Sequence, residues 1–163
     1  MKKDSSASLS KLAQSNSKDK TQFFIKKAGL KNTLPRKMIL NVLADNPHHH
    51  FSAEDIYHVL KEHGRSIGIA TVYRVLAQFE QTGLVTRHQF EGTTAFFELT
   101  KHEHHDHLVC LTCGKIIEFR DDEIERLQKE VAKKHGLNLT THTLYIFGTC
   151  NDPDHCLHNK NKS

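Results

Sequence analysis

Residues 102 to 113 read His-Glu-His-His-Asp-His-Leu-Val-Cys-Leu-Thr-Cys. Twelve positions therefore hold four imidazoles, two carboxylates and two thiols, the side chains that bind borderline transition metals. The two ends of the run suit different chemistry. Cys110-x2-Cys113 has the spacing of half a tetrahedral zinc site, a kind that is usually closed and structural. The His/Asp end lacks sulfur and suits a more exchangeable site for iron, zinc, manganese or cobalt. If residues 104–111 are extended, as His107-Leu108-Val109-Cys110-Leu111 suggests, successive side chains alternate between faces. His105 and His107 then point one way, His104 and Asp106 the other. One strand would feed two metal sites, each completed by ligands from elsewhere. The competing reading is a solvated polar run in a chain with 14 histidines among 163 residues. Ionisable residues that lead straight into an apolar strand and a cysteine pair weigh against it.

A chain of this length can bury a core as one domain or two small ones. No apolar run approaches the roughly 18–20 residues of a membrane span, and the N-terminal lysines are not followed by a hydrophobic segment. Four cysteines without an export signal favour metal thiolates in a reducing compartment, and the expectation is a cytoplasmic protein. The net charge of +4 is uneven: residues 1–99 carry 14 Lys/Arg against 9 Asp/Glu, residues 100–163 carry 9 against 10. A basic front half is compatible with nucleic acid, although a basic solvated face would look the same.

The elements that must position these residues follow from pattern. Residues 1–20 are polar and read as a disordered extension. A short helix over Thr21 to Ala28 ends at Gly29. Thr33 and Pro35 open a second helix with Met38, Ile39, Val42 and Leu43 on its apolar face. Ser52-Ala53-Glu54-Asp55 is a capping box that starts a third. After Gly68, Val72, Val75, Leu76 and Phe79 form the buried stripe of a fourth helix, whose other face carries Ala70, Arg74, Ala77 and Gln81, flanked by Tyr73 and Gln78. From Leu84 the period shifts towards two, and Leu84–Phe90 and Thr94–Leu99 read as a hairpin around Glu91-Gly92. Helices followed by a two-stranded ribbon are the layout of a winged helix-turn-helix, whose last helix enters the major groove. The second half reads as the His-rich strand, a return strand over Lys115–Phe119, a helix capped by Asp121 or Asp122, and a last strand over Leu139–Phe147. Its small core favours dimerisation and a structural metal. The fold class expected is α+β, an N-terminal winged helix-turn-helix plus a small C-terminal α/β dimerisation domain. The boundaries expected are a 1–20 extension, a 21–99 DNA-binding domain, a 100–150 metal-binding dimerisation domain and a 151–163 Cys/His-containing tail.

These residues resemble the ferric uptake regulator family of bacterial metal-dependent repressors. The resemblance runs over roughly residues 24–150. It is carried by Ala28-Gly29-Leu30-Lys31, Thr33-Leu34-Pro35-Arg36, His49 to Asp55, Gly68 to Leu76, Thr86-Arg87-His88, Phe97-Glu98-Leu99, His104 to His107, Cys110 to Lys115, and Glu118-Phe119. It implies an Fe2+-responsive repressor of iron-homeostasis genes, with Mn2+, Co2+ or Zn2+ as substitutes and a structural Zn2+. The hinge site falls on His50, Glu98, His105, His107 and Glu118, and a second site on His104, Asp106, Glu125 and His142. The structural zinc falls on Cys110, Cys113, Cys150 and Cys156, where five residues between the tail cysteines are more than the family usually has and His155 is an alternative ligand. Lys31, Arg36, Thr71, Tyr73 and Arg74 match DNA-contacting positions. Glu98 leans towards the iron-responsive branch, since the peroxide-sensing branch tends to carry Asp there. The implied partners are a two-fold, A/T-rich DNA operator and a second copy of the chain, with a tetramer as a further assembly.

An enzyme is the competing class. His102-x-His104-x-Asp106-His107 matches the H-x-H-x-D-H string of metallo-β-lactamase-fold hydrolases, in which a metal-bound water attacks the substrate. That fold needs a longer alternation of strands and helices around the string, and a motif counts only in its structural context. A zinc-stapled DNA-binding module without metal sensing is the third reading. No catalytic residue is assigned.

Overall fold

A computed structural model describes residues 20–90, 92–100 and 104–152. The chain divides into two compact units, residues 1–100 and 101–163. His102, His155 and Cys156 lie outside the described residues, as do the N-terminal extension as far as residue 19 and most of the tail.

The first unit begins with α1, described over residues 20–27. Gly29 at φ 73° closes it: its N–H donates to the Lys26 carbonyl and the Leu30 N–H to the Ile25 carbonyl, which uses carbonyls that the helix end leaves over. α2 spans Leu34–Ala44 with Thr33 at the N-cap, but the threonine side chain makes no capping hydrogen bond; Pro35 sets the first turn instead. α3, Ala53–Glu62, starts with the expected capping box: Ser52 Oγ accepts from Asp55 N and Asp55 Oδ2 accepts from Ser52 N, both at 3.0 Å. α4 spans Ile69–Gln81 and buries Val72, Val75, Leu76 and Phe79, the stripe that its sequence spells. Ile25, Ile39, Leu43 and Ile56 meet that stripe to form the core. Full burial of each such side chain contributes about 1.5–3 kcal/mol.

The ribbon is shorter than the sequence implied. β1, Val85–His88, pairs antiparallel with β2, Phe96–Leu99, with Thr86 opposite Glu98 and His88 opposite Phe96. Phe51 then bridges to Phe97 through two backbone hydrogen bonds of 3.0 and 2.8 Å. The chain just before α3 thus lies along the free edge of β2, which carries His50 to the level of Glu98.

In the second unit β3, Asp106–Cys110, is central. It pairs antiparallel with β4, Ile116–Phe119, and parallel with β5, Tyr145–Gly148, in the order β4-β3-β5. The last strand starts six residues later than Leu139, because its ladder is limited to His107–Cys110 of its partner. α5, Asp122–Lys134, is capped by Asp121, whose carboxylate accepts from Glu123 N and Ile124 N. α5 buries no residue, and Leu108, Ile117 and Ile146, neighbours on one sheet face, are each about two-fifths exposed. Val109 is the one buried hydrophobic side chain among the described residues of this unit, so its apolar surface needs a further partner surface. Among the described residues, this unit's one three-stranded sheet and one helix do not supply the long strand–helix alternation of a metallo-β-lactamase fold.

Candidate metal centres and nucleic-acid face

α4 turns Tyr73, 48% exposed, and Arg74 to solvent, with Thr71 half-buried one turn nearer its N-terminus. The Tyr73 hydroxyl donates to Glu54 Oε1 on α3, and that bond holds the phenol pKa above its usual value. Lys31 is exposed. Arg36 is half-buried and fastened: Nη1 donates to the Lys31 carbonyl at 2.6 Å, and Nη2 and Nε donate to Gln78 Oε1 at 2.8 and 3.2 Å. The guanidinium therefore links α2 to α4, and only its remaining N–H groups are free of these bonds.

On the same unit, Glu98 is 3% exposed and His50 and His88 are 6% exposed. Glu98 Oε1 lies 2.8 Å from His88 Nε2 and 3.8 Å from His50 Nε2. Phe90 stacks on the His88 ring, with centroids 5.5 Å apart and planes 3° from parallel.

β3 sorts its donors by alternation, as its sequence requires. His107 is buried opposite Glu118 on β4 and packs edge-on against His105 at 4.9 Å. On the other face Asp106, 1% exposed, meets His104, with Nε2 to Oδ1 at 3.1 Å. Glu125 from α5 and His142 from the segment before β5 close the group. Glu125 Oε1 lies 3.6 Å from both His104 Nε2 and His142 Nε2, and His142 Nε2 lies 3.8 Å from Asp106 Oδ1. Four donor atoms thus lie within 4.8 Å of one another. Metal–ligand bonds of about 2.0–2.1 Å place tetrahedral donors roughly 3.3 Å apart, close to the spacing found. Asp106 Oδ2, Glu125 Oε1 and His142 Nε2 are buried without a hydrogen-bond partner, a costly state that a cation at their centre would relieve.

The thiols form a third group. Gly114 at φ 73° lets the chain turn back after β3, and its N–H donates to the Cys110 carbonyl at 2.8 Å. Cys150, just beyond β5, brings its sulfur within 3.2 Å of Cys110 and 3.6 Å of Cys113. These separations are far longer than a disulfide and near the roughly 3.8 Å edge of a tetrahedral zinc–thiolate site. The Cys110 thiol is lowered to about 6, first by the hydrogen bond with Cys150 and then by a backbone bond at Cys113. A ready thiolate is what a zinc ligand must be.

Residues 27–147 match the model of the ferric uptake regulator family. The chain belongs to that family. It is accordingly a metal-responsive transcriptional repressor that binds DNA as a dimer. The chain is 59% identical over 130 residues to the ferric uptake regulation protein of Escherichia coli K12, covering 80% of this chain and 88% of the relative. The structure is similar to that of the Vibrio cholerae ferric uptake regulator, with a TM-score of 0.75 at 55% identity, covering 79% of this chain and 98% of that one. It is also similar to the Helicobacter pylori ferric uptake regulator, whose structure is described as revealing three functional metal binding sites. There the TM-score is 0.74 at 34% identity, covering 88% and 95%.

In this family member the structure brings together, within each unit, His50 and Glu98, His105 with His107 and Glu118, and His104 with Asp106, Glu125 and His142. Cys110, Cys113 and Cys150 converge as well. Sequence reasoning missed His88, whose Nε2 lies 2.8 Å from Glu98 Oε1. The signal was present in alternation: Thr86 and His88 share a face, and the pairing of Thr86 with Glu98 puts Glu98 on that face too.

Proposed function

We propose that this family member is an Fe2+-responsive repressor of iron-homeostasis genes, in which residues 21–99 read DNA and residues 100–150 bind metal and dimerise. We assign His50, Glu98, His105, His107 and Glu118 to the regulatory metal, a ligand set drawn from both units. His104, Asp106, Glu125 and His142 form a second site, and Cys110, Cys113 and Cys150, completed by Cys156, the structural zinc. The observation that carries this reading is the division of β3, which sends His107 to the face of Glu118 and Asp106 to the face of His104. A soluble polar surface needs no such sorting of donors.

When bound, the metal supplies a Lewis-acid centre that holds its donors at fixed separation. His50 and Glu98, anchored by the Phe51–Phe97 bridge and the β1–β2 register, transmit that constraint to the reading unit. Ordering the reading unit sets the separation of the two recognition helices of a dimer, which a two-fold operator requires to be about 34–36 Å. Tyr73, Arg74 and Thr71 meet the major groove; Lys31 and the free edge of Arg36 meet the phosphate backbone. We infer a two-fold, A/T-rich operator and a cytoplasmic location. No helix among the described residues is long and apolar enough to cross a membrane.

The test is operator binding by fluorescence anisotropy under anaerobic Fe2+ titration, with the cysteine site already zinc-loaded. Affinity should rise about 5–150-fold with metal, and His105→Ala should remove the rise while the dimer persists. Equal binding with and without metal would make the protein a constitutive DNA-binding module.

A further inference from the structure

The wing of the first unit carries a buried polar face that a two-stranded ribbon does not need. Thr86, His88, Phe96 and Glu98 share it by register, and within it His88 and Glu98 are nearly inaccessible to water. Burying a carboxylate is costly unless it accepts hydrogen bonds. His88 Nε2 stands 2.8 Å from Glu98 Oε1, a hydrogen-bond distance and closer than the roughly 3.3 Å between two donors of one tetrahedral ion. His50 stands differently: its Nε2 is 3.8 Å from the same oxygen, beyond hydrogen-bond reach and at a spacing that two ligands of one ion adopt. Phe90, stacked on the His88 ring and edge-on to His50 at 5.9 Å, fixes the plane from which His88 donates.

We propose that His88 is a positioning residue for the regulatory metal: its Nε2–H, held by Phe90, fixes the Glu98 carboxylate in the orientation that binds the ion, without itself becoming a ligand. This rests on the assignment of Glu98 to that metal. The arrangement is one in which a ligating carboxylate is itself oriented by a hydrogen bond, and loss of such an outer partner typically lowers metal affinity about 10–100-fold. It also gives the reading unit a preformed half of the site, since His50, His88 and Glu98 are all set by contacts within residues 20–100.

The test uses the full-length, zinc-loaded protein carrying His104→Ala and His142→Ala, so that the second site is silent, and reads Co2+ by its visible absorption against a competing chelator. Three variants are compared in this background: His88→Leu, which fills the space under Phe90 without a donor, His88→Gln, which restores an N–H, and Glu98→Ala. The expected result is a 10–100-fold weaker Co2+ affinity in His88→Leu, an unchanged absorption band for each ion bound, and recovery of most of the affinity in His88→Gln. Circular dichroism of the metal-free variants reports folding, and a His88→Leu chain that does not fold leaves the His88→Gln comparison with the parent, which should differ little. Unchanged affinity in His88→Leu together with loss in Glu98→Ala would overturn the role of His88 alone. An altered band in His88→Leu would also overturn it, because a ligand would have been lost. Unchanged Co2+ binding in Glu98→Ala would overturn the assignment of Glu98 itself, and the inference with it.

Discussion

Replacing Cys150 by serine should unfold the second unit and leave the first intact. The reason lies in how little the second unit buries. Val109 is its one buried hydrophobic side chain among the described residues, and α5 leaves Leu127 46% and Val131 55% exposed. Removing a sulfur that lies 3.2 and 3.6 Å from its two partners releases the segment after β5 from the turn after β3. Structural zinc in small zinc-finger peptides is worth about 10–16 kcal/mol at neutral pH, as much as the whole stability of an ordinary domain, about 5–15 kcal/mol. Losing most of that exceeds what a single valine returns, about 1.5–3 kcal/mol. Hydrogen exchange read by mass spectrometry separates the two units in one experiment. In Cys150→Ser the amides of β3, β4 and β5 should lose protection by several orders of magnitude, while α2 and α4 keep theirs; zinc content and the dimer should fall together. Retained protection across β3 and β5 in a zinc-free Cys150→Ser chain would refute the reasoning, since the sheet would then stand without its thiolate clasp.

Other consequences can be checked with single variants. Ser52→Ala removes the Oγ that accepts from Asp55 N while leaving the backbone N–H that donates to Asp55 Oδ2, and should lower the stability of the first unit by about 0.5–2 kcal/mol, measured by urea denaturation of the metal-free chain. Phe79→Ala opens a hole where the side chain is wholly buried and should cost about 3–5 kcal/mol in the same assay, abolishing DNA binding at physiological temperature. Arg74→Ala should weaken operator binding by about 1–3 kcal/mol and relax discrimination at one base pair, whereas Lys31→Ala should weaken all sequences alike and lower the salt slope by roughly 0.9; an unchanged slope would remove Lys31 from the backbone contacts. The Cys110 thiol, lowered from 9.0 to about 6, favours the folded arrangement above its unfolded pKa, and that contribution is lost as pH falls through about 6. Zinc retention by the folded protein, measured against a chelator, should therefore fall as pH drops below about 6, and a retention flat across that range would contradict the lowered thiol.

What could be read from the chain alone divides along a physical line. Features governed by a local period were legible: the i, i+3, i+4, i+7 stripe of α4, the capping box of α3, and the alternation that parts His105 and His107 from His104 and Asp106. Features governed by pairing were not. The sequence offers Thr33 as a cap, yet Pro35 already fixes the turn and the hydroxyl goes unused. It offers a strand from Leu139, yet a ladder can run no further than its partner, and β3 gives β5 only His107–Cys110 to bond to. His142 consequently reaches Asp106 and Glu125 from irregular chain, where no period could announce it; the family resemblance pointed to it instead. His88 is the sharpest case. Its hydrogen-bond partner, Glu98, lies ten positions away, and only the pairing of Thr86 with Glu98 reveals that the two side chains share a face. The Phe51–Phe97 bridge works the same way on His50. The residues most exposed to error are thus the ones that a register brings together, and in this chain those are His50, His88 and Glu98.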